Sequence, residues 1–132
     1  AEEIKINVGS ALSELDEPPA DYRVQGPNQM TALPIEVPVS YQEIAHCLEK
    51  AISKIEIAVL GALEQTPPEL YADIVNRGIY LAGGGALLRG LDKRLSEKLN
   101  IPFHIAEDPL RAVARGTGIA LKNADRFSFL MR

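Results

Sequence analysis

The sequence predicts an α/β fold on three grounds. A long amphipathic helix starts at a strong capping signal near residue 40, strand and helix patterns alternate from residue 79 onward, and the strands there are apolar at successive positions. Strands of that kind belong to parallel sheets with helices on both faces. A chain of 132 residues is one domain by size and long enough to bury a core.

Each element has a local cause. Residues 1–8 set Ile4 and Val8 four apart, as in the last turns of an amphipathic helix, and Gly9 is a candidate stop. Residues 10–19 read as a loop. Asp21–Gln25 and Leu33–Val39 read as a hairpin around Gly26-Pro27-Asn28, and Pro34 and Pro38 place it at a sheet edge. Ser40 and Glu43 form a capping box. Ile44, Leu48, Ile52, Ile55, Val59 and Leu63 then predict an apolar stripe along a helix of about six turns. Thr66-Pro67-Pro68-Glu69 reads as a second capping box, opening a helix that ends near Arg77 with Gly78 beyond it. There follow a strand at Ile79–Ala82, a helix from about Leu87 to Leu99, a strand at Pro102–Ile105 and a helix from Pro109, with Asp108 as its N-cap. Two parts are expected: residues 1–50, with the first helix, the hairpin and the start of the long helix, and residues 51–132, the α/β part.

Composition narrows the function. With 46% hydrophobic and 24% charged residues the chain has an ordinary globular balance, and its net charge of −4 favours neither nucleic acid nor an anionic surface. No run approaches the ~20 apolar residues that span a bilayer, and no signal peptide opens the chain, so a cytosolic location is expected. Cys47 is alone, which excludes an internal disulfide and a multi-cysteine zinc site, and His46 and His104 lack ligand spacing. His46 and Cys47 read as packing or surface residues. The opening Ala1-Glu2-Glu3-Ile4-Lys5, without an initiating Met, reads as mid-helix and is expected of a fragment. The apolar tail Phe127–Met131 suits a membrane foot or partner patch, though such tails more often dock on their own domain or stay disordered.

The informative motif is Leu81-Ala82-Gly83-Gly84-Gly85-Ala86-Leu87-Leu88. Glycines at the carboxyl end of a parallel strand let a ligand approach the backbone without Cβ interference. Two familiar phosphate loops fail: Leu91-Asp92 stands where a P-loop needs Lys then Ser or Thr, and Leu88 breaks GxGxxG. The spacing alone fits equally well a tight strand-to-helix turn that binds nothing.

The longer run Gly78–Asp92 resembles the adenosine motif of the actin, sugar kinase and heat-shock chaperone ATPase superfamily, in the form found in MreB-type bacterial actins: a hydrophobic strand, three glycines, then Ala-Leu-Leu-Arg. Ala62–Leu70, Ile101-Pro102, Ala106–Leu110, Val113–Gly116 and the opening Ala1–Lys5 with Gly9-Ser10-Ala11 are similar to the same branch, so the likeness spans nearly the whole chain. It departs at Thr117, where a third glycine is common, and in the hairpin of residues 12–38.

The resemblance implies the carboxy-terminal part of an actin-like, ribonuclease H-like ATPase domain. Residues 1–50 would belong to the small subdomain flanking the nucleotide, and residues 51–132 to the larger one. ATP is the implied cofactor. Gly83, Gly84, Gly85, Ala86 and Leu87 would line the adenosine, and Glu2, Glu3, Ile4 and Lys5 would flank base and ribose. A carboxylate can accept ribose hydroxyl protons and a Lys stem can lie along a purine, although without the resemblance Glu2 and Lys5 read as a solvated helix face. The phosphate hairpins, the catalytic carboxylate and the Mg²⁺ contacts would precede Ala1. No catalytic residue or metal ligand is therefore assigned, and the chain alone is expected to be inactive. The implied function is polymerisation into filaments at the inner face of the cell membrane that organise cell-wall synthesis and rod shape. The implied partners are further copies of itself and proteins of wall synthesis and membrane morphogenesis, with no nucleic acid. A sugar or acetate kinase of the same superfamily and a non-enzymatic interaction module are the competing readings.

Overall fold

The computed structural model describes residues 1–127. Helix α1 (Glu2–Val8) leads through a loop to an antiparallel hairpin of β1 (Tyr22–Pro27) and β2 (Pro34–Val39), in register from Tyr22 opposite Val39 to Pro27 opposite Pro34. Helix α2 (Tyr41–Glu64) runs unbroken through position 50, so the two expected parts share it. Then come α3 (Pro68–Arg77), β3 (Ile79–Leu81), a 3-10 turn at Gly84–Leu87, α4 (Leu91–Leu99), β4 (Phe103–Ile105) and α5 (Ala112–Lys122). Strands β3 and β4 pair in parallel, Ile79 beside Phe103 and Leu81 beside Ile105. This is the expected α/β arrangement.

The capping box at Ser40 is formed in both directions: the Glu43 amide donates to Ser40 Oγ at 3.3 Å and the Ser40 amide to Glu43 Oε2 at 2.8 Å. The core gathers Ala11, Ile52, Leu63, Leu91, Leu95, Ile101 and Phe103, with Leu48, Val59, Ile79, Leu81 and Leu88 packed around them. It lies between α2, α4 and one face of the β3–β4 sheet.

Five expectations are corrected. Ile55 is 45% exposed, whereas the polar Glu56 is buried on the inner face of α2, where Arg94 meets it. The second capping box does not form: Pro67 is the N-cap, and the Thr66 hydroxyl turns back to the Ala62 carbonyl at 2.8 Å. The helix expected from Leu87 starts at Leu91, because Gly90 at φ +72° separates it from the 3-10 turn. The last helix starts at Ala112 rather than Pro109, since Asp108 opens a turn whose carbonyl accepts the Arg111 amide at 3.1 Å. Among the described residues the sheet is covered on one face only: Tyr80, 70% exposed, and His104 stand on the other, their rings 5.2 Å apart.

Candidate functional site

The glycine turn sits where β3 and β4 both end. The Ala106 amide donates to the Leu81 carbonyl at 3.0 Å and the Gly83 amide to the Pro109 carbonyl at 2.7 Å, so the loop after β4 is tied to the turn after β3. Gly83 holds φ +82°, a left-handed conformation that favours glycine. Gly84 and Gly85 are different: neither has a positive φ, and they enter the 3-10 turn. A Cβ on Gly85 would meet nothing within 4 Å, and one on Gly84 only Leu110 Cδ2 at 3.5 Å. Their absent side chains leave open space along the backbone, as a ligand-facing surface requires. Of the two residues that follow, Ala86 is buried and Leu87 is 54% exposed.

The other candidates lie on α1. Glu2, Glu3 and Lys5 are exposed and Ile4 is half-buried. Glu3 is engaged, its Oε2 accepting the Tyr22 hydroxyl of the hairpin at 3.3 Å. Ala1, Glu2, Ile4 and Lys5 form one wall of a groove of ≈ 530 Å³ whose other wall is Ile44, Cys47 and Leu48 of α2; none of the glycines lines it. The structure therefore sets the two groups of candidates on separate elements, joined through the segment that follows each. Ser10 and Arg89 form a parallel bridge, and the Ala11 amide donates to the Arg89 carbonyl at 2.8 Å. A Cβ on Gly9 would run into the Lys5 carbonyl oxygen and stand 3.0 Å from Leu88 Cδ1. Gly9 is needed for this close approach and not for its backbone angle, since its φ is −64°.

Arg94 on α4 holds the same junction from the other side. Its guanidinium pairs with both oxygens of Glu49 at 2.6 and 2.8 Å, with Glu56 Oε1 at 2.6 Å, and with the Ala11 carbonyl at 3.1 Å. The hydrogen bond with Glu49 holds Arg94 firmly charged and lowers the Glu49 carboxyl below its usual range. The sequence offers Arg89, Arg94, Pro109 and Leu110 no place among the candidate site residues. Arg89 and Arg94 contact residues about eighty positions away, and no local pattern carries such a pairing.

The relatives decide the affiliation. The family profile described as MreB/Mbl protein matches residues 1–128. The chain belongs to the MreB/Mbl family. The cell shape-determining protein Mbl of Bacillus cereus is 45% identical over 130 residues, covering 96% of this chain and 37% of that protein. The cell shape-determining protein MreB of Escherichia coli is 45% identical over 125 residues, covering 95% and 35%. The crystal structure of MreB5 of Spiroplasma citri bound to ADP superposes with a TM-score of 0.85 at 37% identity, over 93% of this chain and 37% of that one. The same protein bound to AMPPNP gives 0.84. The chain thus spans little more than a third of the MreB/Mbl proteins it matches, and its α/β elements are those of an actin-like fold.

Proposed function

We propose that this chain supplies the adenosine-binding half of the nucleotide site in an ATP-dependent, filament-forming MreB/Mbl protein, and is its carboxy-terminal part. The observation that carries the reading is the bare backbone of Gly84 and Gly85 at the carboxyl ends of two parallel strands. That is where open α/β sheets bind their ligands. The nucleotide-bound relatives add support. In this reading Gly83 shapes the turn, while Gly84, Gly85, Ala86 and Leu87 lie along the adenosine. Glu2, Ile4 and Lys5 approach from the flanking helix, with Glu3 steadied by Tyr22. Residues 1–50 form the small flanking subdomain and residues 51–132 the larger one.

The chemistry assigned to this chain is binding and orientation. The Mg²⁺ and phosphate contacts of the ATP, and the positioning of the water that attacks the γ-phosphate, are assigned to the remainder of the protein. Filaments of such protomers would lie on the inner face of the cell membrane and guide wall synthesis and rod shape through morphogenesis partners.

Nucleotide titration of the full-length protein tests this. A Cβ at position 84 would meet only Leu110 Cδ2, at 3.5 Å, so Gly84→Val is expected to leave the fold intact while its side chain fills the space of the nucleoside. Gly84→Val is expected to weaken ATP binding at least about a hundredfold, and Lys5→Ala to weaken it without abolishing it. Unchanged ATP affinity in folded Gly84→Val would make the turn structural only.

A further inference from the structure

Arg89 is the first charged residue after the glycine turn, and its side chain reaches back across the chain to the end of α1. Its Nη1 donates to the Ile6 carbonyl at 3.3 Å and to the Gly9 carbonyl at 3.4 Å, 83 and 80 residues away. The last carbonyls of a helix lack intrahelical partners, and the helix dipole makes that end negative. A guanidinium there both satisfies acceptors and meets the favoured charge. The backbone of the same residue holds the next stretch, its carbonyl accepting the Ala11 amide at 2.8 Å and the Ser10 hydroxyl at 3.4 Å. Ser10 is fully buried. One residue therefore fixes the chain on both sides of the α1 terminus, from a position two residues past the 3-10 turn.

We propose that Arg89 is a positioning residue for the nucleotide: it sets the distance between α1 and the glycine turn, so that Glu2 and Lys5 meet the same adenosine that lies along Gly84 and Gly85. The proposal rests on the nucleotide reading above. It also predicts where the loss will fall. The strut joins the two elements assigned to base and ribose and touches nothing assigned to phosphate, so its removal weakens adenosine, ADP and ATP by the same factor. Individually the two side-chain bonds are long, so the fold does not depend on them. Gly9 packed against Leu88, and Arg94 on the Ala11 carbonyl, keep the segment in place approximately.

The test uses the full-length protein with Mg²⁺ and compares wild type, Arg89→Ala and Arg89→Lys in calorimetric titrations with adenosine, ADP and ATP. Amide exchange at Lys5 and Gly9 is followed in parallel. Arg89→Ala is expected to lose about tenfold in affinity for all three ligands, with faster exchange at Lys5 and Gly9 and an unchanged far-ultraviolet spectrum. Arg89→Lys, which keeps a cation at the helix end, is expected to recover most of the affinity. Wild-type affinity in folded Arg89→Ala, a loss confined to ATP, or equal losses in the alanine and lysine variants would each overturn the proposal. Should Arg89→Ala fail to fold, the lysine variant decides alone: a loss of tenfold or more overturns it and a smaller one supports it. Wild-type protein that binds none of the three ligands would instead overturn the nucleotide reading beneath it.

Discussion

Gly83 and Gly84 are neighbours with different work. Gly83 holds a positive φ over open space, so Gly83→Ala strains the backbone without any clash and is expected to cost about 1 kcal/mol of stability. Gly84 has no such strain, and its substitution is expected to register in ligand affinity rather than in melting. Gly78 combines both problems, with φ +80° and a Cβ position 2.5 Å from the Pro102 carbonyl oxygen and 2.8 Å from His104 Nε2. The buried Glu56–Arg94 pair illustrates what the sequence hid. A period of three to four selected Ile55 for the inner face of α2, because a carboxylate at 56 has no visible reason to be buried until Arg94, thirty-eight residues on, is seen to meet it. Arg94→Met is expected to destabilise the chain by about 3 kcal/mol, since it strands a carboxylate that is 9% exposed. Adding Glu56→Leu should recover much of that loss. A double variant no more stable than Arg94→Met in urea unfolding would contradict this account of the pair.

At the scale of elements, legibility followed how local the cause was. The cap and extent of α2, the hairpin and both parallel strands were readable because residues within four positions determine them. The start of α4 was not, because a single left-handed Gly90 packed against Leu12 cuts the helix from the turn. Nor was the start of α5, where the Asp108 carbonyl closes a turn in place of a helix cap. Ser40→Ala should cost about 1 kcal/mol by removing the acceptor for the Glu43 amide. The cap also gives a pH signature. The Ser40 backbone amide first, and its hydroxyl second, hold the Glu43 carboxyl below its usual pKa. A depressed folded pKa contributes stability that is present above the ordinary carboxylate value and is lost as pH falls through the folded one. Glu49, lowered by Arg94, contributes in the same direction. Glu43→Gln should therefore flatten the acid limb of the stability profile, and an unaltered slope in thermal melts across that range would show that the cap carries no charge-dependent part.

For the whole molecule, the β3–β4 sheet is the least complete feature. Among the described residues it has two strands and one uncovered face, with Tyr80 and His104 on it, and α5 has no buried side chain. Two-stranded sheets are marginal, and open strand edges are templates for another chain. The 132-residue chain is expected to fold around α2 and to self-associate at high concentration; a monomer by sedimentation, with β3 fully protected from amide exchange, would contradict that. It should also show no Mg²⁺-dependent ATP turnover. The central claim is that Gly83–Leu87 and Glu2–Lys5 are two walls of one adenosine site. Amide chemical shifts of the dilute, isotopically labelled chain titrated with ADP test it most directly. The account predicts that Gly84, Gly85 and Ala86 and the amides of Glu2 to Lys5 shift together along one weak isotherm, and shifts in one group without the other would contradict it.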